Sequence, residues 1–489
     1  MLKVNFKFAL TLIAVGALSA CAGNRLGPDY QRPVLAVPTA NRAAIPTHNA
    51  AIGTAAVDLQ AWWKSFQDPV LDALLEETGS NSQDLALASA RIEEARATLQ
   101  QNEANFYPTV DLNGSATRRR SSQNSATYSP VLGSYSNDRQ VGLSASYEID
   151  FWGKFARADE AARARLLAQS ASRGTVLTTL YANVAQGYFT LRALDAQADL
   201  AEFTVATRKE NLRLQKRRFE AGVIGELDLR QAESEAIGIE ANLQLVRQNR
   251  SNAESALALL LGRKPTEIMT PVIARGAALT ALYLHQTVPA NLTSDVLTAR
   301  PDVVAAEQTL IAANADIGQA RAAYFPRLSL TAGLGEQSKD FSSLISPASL
   351  FWNLVGNLTQ PVFRAGAIGA VVAATNAREQ QAVAQYTQAV QSAFRDVHDA
   401  LNNVAAGREV ATTTASRIEA LRGTLKLADL RYKNGYSSYL DVLNAQRDLS
   451  QAEAGLIDTQ RTQLNAVVGL YKAVGGGWNP ATVVGLSSR

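Results

Sequence analysis

The sequence predicts a mostly α-helical chain that carries part of a membrane β-barrel, arranged as two tandem structural repeats. Three observations predict it: an internal repeat at a fixed offset, long proline-free stretches with helical periodicity, and short segments that alternate apolar with polar residues.

The repeat is clearest where Arg218-Phe219-Glu220-Ala221-Gly222, Leu227-Asp228-Leu229 and Ala232 recur as Arg431-Tyr432-Lys433-Asn434-Gly435, Leu440-Asp441-Val442 and Ala445. The same offset lays Leu177 on Val390, Tyr181 on Phe394, Val184 on Val397, Tyr188 on Leu401 and Leu191 on Val404. Upstream, Phe106-Tyr107-Pro108 recurs as Tyr324-Phe325-Pro326. A unit of about 210 residues is too long for a solenoid repeat and reads as a duplicated domain.

The helices come from the apolar spacing. Val383, Tyr386, Val390, Phe394, Val397, Leu401 and Val404 step by threes and fours, a narrow seam of coiled-coil type. No proline falls between Trp152 and Gly222, so one helix is expected over about 155–220, nearly 100 Å at 1.5 Å per residue. Segments at about 81–105 and 226–262 sum to a similar length, and the second half repeats the set at about 301–323, 365–434 and 439–472. About one position in six is Ala, which favours helices that approach closely.

The strands come from a period of two. Val141, Leu143, Ala145, Tyr147, Ile149 and Phe151 alternate with Gly142, Ser144, Ser146, Glu148 and Asp150. Weaker alternation runs through Val110 to Thr117, Leu328 to Leu334 and Trp352 to Leu358. Strands are therefore expected at about 109–120, 138–151, 327–338 and 350–361, with turn-rich loops at about 121–137 and 339–349.

The N-terminus reads as an address. Lys3 and Lys7 precede an apolar run from Phe8 to Leu18, too short to span a bilayer as a helix, followed by Leu18-Ser19-Ala20-Cys21. Cys21 is the only cysteine, which excludes an internal disulfide and a multi-thiolate metal site. The run looks like a lipobox, so residues 1–20 are expected to be a signal peptide and Cys21 the acylated first residue, with outer-membrane delivery. Two or three acyl chains would anchor the chain without a transmembrane helix. The plainer alternative is a secreted protein with a free cysteine.

The expected organisation is then a lipidated extended segment at 21–57, a first repeat at 58–265, a linker with a short helix at 266–300, a second repeat at 301–478 and a tail at 479–489. Formal charge is +3, falling to +1 without the two lysines of the signal, which gives no reason to invoke nucleic acid. His48, His285 and His398 lie far apart, and no Walker A loop, nucleophile elbow or His-Glu-x-x-His motif is present. Neither an enzyme, a metal nor a cofactor beyond the lipid on Cys21 is expected.

Four strands cannot close a bacterial barrel, which needs at least eight because open edges in lipid leave backbone groups unpaired. Two, three or four chains would supply enough, and helices continuing from the strands would extend the barrel as a tube. The competing reading is a small soluble sheet on a coiled-coil rod.

The lipobox, Gly27-Pro28-Asp29-Tyr30-Gln31-Arg32-Pro33, the Phe-Tyr-Pro and Tyr-Phe-Pro corners, Arg431 to Gly435 with Tyr439 to Leu443, and the terminal Leu470 to Trp478 together resemble the TolC-type outer-membrane efflux factors. The likeness is to the lipoprotein branch that serves RND-type drug efflux pumps. It implies a homotrimer with a twelve-stranded barrel and a twelve-helix periplasmic tunnel, docked to a periplasmic adaptor and an inner-membrane transporter. The resemblance also implies that Tyr432, Leu440, Asp441, Asn444 and Arg447 form the periplasmic aperture near Gly435. Leu440, Asn444 and Arg447 share one helical face. Asn444 stands where family members commonly have a second acid, which weakens the case for cation plugging. Asp441 and Arg447 are expected to tie neighbouring helices shut; the plainer reading is that Asp441 caps a helix and Arg447 makes a surface pair. The leading function is an exit duct for a tripartite efflux pump, with a type I protein-secretion duct and a structural coiled-coil lipoprotein as alternatives.

Overall fold

The structure is a computed structural model that describes residues 25–35, 58–126, 128–131, 134–285 and 297–479. The expected signal peptide at 1–20, Cys21 and the expected tail from residue 480 onward lie outside the described residues.

The ordered elements repeat one plan. A short 3-10 helix at Leu59–Phe66 leads to α1 (Pro69–Asn81) and α2 (Gln83–Glu103), then β1 (Thr109–Arg120), β2 (Tyr135–Ile149), α3 (Lys154–Glu220) and α4 (Glu226–Leu260). After α5 (Pro265–Met269) and α6 (Leu279–His285), the plan recurs as α7 (Pro301–Ala322), β3 (Arg327–Ser338), β4 (Leu350–Thr359), α8 (Ala367–Lys433) and α9 (Tyr439–Ala473). The long helices α3 and α8 are 67 residues each and α4 and α9 35 each, so the duplication read from the sequence is a duplication of structure.

Several boundaries differ from the expected ones for local reasons. Residues 59–81, for which no element was expected, form a 3-10 helix and α1, because Asp68 accepts from Val70 N–H at 2.9 Å, Pro69 opens the helix, and Leu71, Leu74, Leu75 and Thr78 give it one buried face. Strand β2 begins earlier than expected because Tyr135 pairs with Arg120. It stops at Ile149 because Asp150 turns inward to accept from Ala156 N–H at 2.9 Å. Strand β4 ends before Pro361, which has no N–H to give a ladder.

The residues fall into two compact units. One comprises the sheet, residues 92–168 and 306–386, and the segment before residue 35. Its strands form a single antiparallel sheet in the order β1-β2-β3-β4. Where strands meet helices, Phe151 packs on Trp152 at 4.8 Å and Trp152 on Phe325 at 4.5 Å between ring centres, and Trp152 Nε1 donates to Pro326 O at 2.9 Å. Phe106 of the first corner packs on Phe155 at 6.5 Å, so each corner places a ring in an aromatic belt where strands meet helices.

Residues 25–34 are strapped to the helices of this unit. Buried Arg157 donates from Nη2 to Asp29 at 2.7 Å and from Nε to Leu26 O at 3.1 Å. Glu307, also buried, accepts from Tyr30 Oη at 3.1 Å and Arg32 Nε at 2.7 Å, and burial beside Glu307 pushes the Tyr30 hydroxyl well above its usual pKa. Glu307→Ala removes the acceptor of both, a loss of about 1–3 kcal/mol. Chymotrypsin is expected to cut after Tyr30 in that variant while the wild type resists.

The second unit holds residues 35–91, 169–305 and 387 onward among those described. Its core stacks Trp62 on Tyr471 at 5.1 Å and sets Phe66 against Phe189 at 5.0 Å, with Val184, Tyr188, Leu191, Val397, Val404 and Val467 buried around them. From Val390 to Val404 on α8, and over the matching positions of α3, the apolar seam is therefore the buried stripe of this unit. Buried Asp68, besides capping α1, accepts from Tyr188 Oη at 2.7 Å and Ala277 N–H at 3.1 Å, which joins α1, α3 and the linker.

Candidate functional site

Each unit holds one candidate. In the first, strand register turns four local alternations into one surface. Leu112 stands opposite Leu143, Leu143 opposite Leu334, and Leu334 opposite Trp352. The next rows are Val110, Ala145, Ala332 and Leu354, then Tyr147, Leu330 and Gly356, then Ile149, Leu328 and Leu358. The reverse face carries Asp111, Asn113, Ser144, Ser146, Ser329, Thr331, Asn353 and Asn357, with Phe351 and Val355 of β4 as its large apolar exceptions. A one-residue slip at any ladder would scatter apolar side chains over both faces.

The apolar face has no covering layer among the described residues: Trp352 is 75% exposed and Leu354 68%. Surfaces of this kind in water are interaction sites, and this one has the composition of a lipid contact. From the Ile149 row to the Val141 row is about 20 Å once strands are tilted as in membrane barrels, close to the height of a barrel's apolar band. β1 and β4 each lack a neighbour on one side, so among the described residues the sheet has two open edges. No helix of the described residues is long and apolar enough to cross a membrane.

In the second unit, α3, α4, α8 and α9 meet at two matching turns. Helix α3 ends with Gly222 N–H donating to Phe219 O at 2.9 Å and Val223 N–H to Arg218 O at 2.8 Å. The α8 turn repeats this with Gly435 to Tyr432 at 3.0 Å and Tyr436 to Arg431 at 2.8 Å. Gly222 at φ 71° and Gly435 at φ 77° supply the left-handed residue such a turn needs.

Around these turns Tyr439, Val442, Leu443 and Ala232 form a small buried cluster against Leu212, Leu425 and Tyr432. The Tyr432 and Tyr439 rings lie 5.5 Å apart. Tyr432 Oη accepts from Arg218 Nη1 at 3.1 Å, with that guanidinium over its ring, and Tyr439 Oη accepts from Asn211 Nδ2 at 2.9 Å. Both tyrosines therefore fasten α8 and α9 to α3.

Within the chain, Asp441 and Arg447 take separate partners. Asp441 Oδ2 accepts from Ser438 N–H at 3.1 Å and Ser438 Oγ at 3.0 Å, capping α9. Arg447 instead reaches Glu235 Oε2 of α4, with Nε at 2.7 Å and Nη2 at 2.6 Å. The reason is helical geometry: Asp441 sits on the first turn, where the free N–H groups are, while Arg447 is two turns on and meets the neighbouring helix. Leu440 and Asn444 are exposed on the same face as Arg447.

Three residues that sequence reasoning missed complete this cluster. Arg208 of α3 has Nε 3.8 Å from Glu235 Oε1 and donates from Nη1 to Gln446 of α9. Arg208 and Glu235 are both buried, whereas Arg447 is half exposed. Burial pulls the Arg208 guanidinium below its ordinary pKa despite Glu235, while the hydrogen bond to Glu235 raises that of Arg447. Arg208 Nε has no hydrogen-bond acceptor among the described residues. One carboxylate thus holds two guanidiniums and links α3, α4 and α9. Arg208-Lys209-Glu210 has the look of any solvated helix face, so no local signal marks it.

No cluster of three or more His, Cys, Asp or Glu side chains able to hold a metal occurs among the described residues. What the two sites define is a membrane-barrel subunit whose long helices end in a pinned turn. The chain belongs to the outer membrane efflux protein family, whose model matches residues 74–263 and 292–476. It is 34% identical over 483 residues to the solvent efflux pump outer membrane protein SrpC of Pseudomonas putida, covering 97% of this chain and 99% of that one. It is 33% identical over 466 residues to the cation efflux system protein CusC of Escherichia coli O157:H7, covering 94% and 97%. Its fold matches the crystal structure of the Campylobacter jejuni CmeC outer membrane channel with a TM-score of 0.86 at 25% identity, over 95% of this chain and 98% of that chain.

Proposed function

We propose that this protein is the outer-membrane exit duct of a tripartite efflux pump, passing small molecules outward from a periplasmic adaptor and an RND-type inner-membrane transporter. The observation that carries this reading is the four-stranded sheet with one apolar face and two open edges. Each unpaired backbone group left in lipid costs several kcal/mol, so the edges must be closed by further copies. A homotrimer closes them as twelve strands, the apolar faces outward and the polar faces lining the lumen.

Tyr432, Leu440, Asp441, Asn444 and Arg447 form the periplasmic aperture in this reading, with Glu235 and Arg208 as its clasp. The chemistry is passive: the duct moves cargo by confinement, and the driving step belongs to the transporter.

Acylation of Cys21 is part of the same proposal. Leu26 N–H donates to Trp152 O at 3.3 Å, which pins the strap beside the aromatic belt. A spacer from Cys21 to Arg25 spans at most about 14 Å, short enough to keep acyl chains at the same membrane level. Cys21→Ala is expected to abolish incorporation of labelled palmitate in cells while the purified protein keeps its conductance.

The test of the duct is direct. Protein purified in detergent is expected to have the mass of three chains and to give discrete conductance steps in planar bilayers. A monomer that gives none overturns the reading.

A further inference from the structure

The hairpin end of the sheet, opposite the helices, carries a basic cluster that the duct reading leaves unused. Alternation along β1 puts Arg118 and Arg120 on the same face as Val110 and Leu112, and Arg119 on the other. Tyr135 stands opposite Arg120, and the guanidinium carbons of Arg118 and Arg120 lie 5.4 and 5.6 Å from the centre of its ring. Arg139 belongs to this face as well, two residues beyond Val141, and donates from Nη1 to Lys339 O.

Charge on this face is lopsided. Against the three arginines the face carries one carboxylate within the four strands, Glu336. Arg118 and Arg120 have no acidic partner among the described residues. Their height is also specific: Arg139 and Arg118 stand about 5–10 Å beyond the apolar band, where a bilayer changes from hydrocarbon to headgroups.

We propose that Arg118, Arg120 and Arg139 form a binding site for the phosphate groups of outer-leaflet lipids. This rests on the membrane reading of the sheet. Guanidinium matches phosphate with paired N–H donors, and stacking on Tyr135 holds two of the three forks in place before the lipid arrives. The apolar rows below would contact the acyl chains of the same lipid, so one surface recognises both ends of the molecule.

The experiment uses the purified full chain, detergent-exchanged and incubated with an equal mixture of bisphosphorylated lipid A and its dephosphorylated form, with bound lipid counted by native mass spectrometry. The wild type is expected to prefer the phosphorylated form about tenfold, the ratio that one net charge-assisted contact supports. The triple variant Arg118→Gln, Arg120→Gln, Arg139→Gln is expected to bind both forms alike. Arg119→Gln, on the other face, is expected to keep the preference. If the triple variant does not assemble, the pair Arg118→Gln, Arg120→Gln is read instead, with most of the preference lost.

Equal binding of both lipids by the wild type overturns the proposal, as does an undiminished preference in the triple variant or in the Arg118→Gln, Arg120→Gln pair. Equal binding of both lipids together with retention of inorganic phosphate by the wild type but not by the triple variant assigns the cluster to free phosphate and also overturns it. Conductance measured on the same preparations keeps the outcomes apart: a wild type that conducts without lipid preference sinks this proposal alone, and one that does not conduct sinks the duct.

Discussion

Glu235→Gln is expected to raise the single-channel conductance of the protein in planar bilayers. The substitution keeps shape and removes the one charge that two guanidiniums share: Arg447 at 2.6 Å and buried Arg208 at 3.8 Å. Stranding a buried charge costs about 3–5 kcal/mol, and most of that falls on Arg208. The Arg447 arm is half exposed and screened by solvent, so its share is below about 1 kcal/mol. A bias of about 3 kcal/mol shifts the ratio of loosened to closed aperture roughly a hundredfold. Adding Arg208→Met removes the stranded charge and is expected to restore much of the closed state. A single variant that conducts like the wild type would show that the clasp does not hold the aperture.

Leu354→Arg is expected to abolish the assembled channel. Leu354 lies in the middle row of the apolar face, opposite Ala332, and is exposed in the single chain. A charge at the midplane of a barrel's lipid face costs about 2–4 kcal/mol per copy, and a trimer would carry it three times. Asn357→Arg, on the reverse face opposite Ser329, is expected to assemble normally with changed ion selectivity. The check is the outer-membrane yield of trimer resistant to mild detergent. Equal yields from the two variants would remove lipid from the account of this face.

The two sites differed in how far the sequence revealed them. Each strand of the sheet announces itself, because a period of two is a local property and Val141 to Ile149 shows it without reference to any other residue. The same holds for the repeat and for the turns at Gly222 and Gly435, where a left-handed residue is needed whatever lies nearby. The pairing of β2 with β3 was not legible, since nothing in either strand says that Leu143 will meet Leu334 across so long a separation.

At the proposed aperture, spacing put Leu440, Asn444 and Arg447 on one face, but it carried no sign of Glu235 as the partner of Arg447 within the chain. A charged residue on a helix has the same sequence signature whether it faces water, its own helix end or a neighbouring helix. Asp441 was taken by the free N–H of Ser438, and Glu235, two hundred residues earlier, took Arg447.

From sequence alone came most of the elements and the two-faced character of the strands, which depend on periodicities of a few residues, and their duplication, which shows when the two halves are aligned. The tertiary structure decided which strands share a ladder, that their apolar sides form one continuous face, and which buried carboxylate clasps α3, α4 and α9. Those depend on register and on contacts between distant segments, which short-range patterning does not encode.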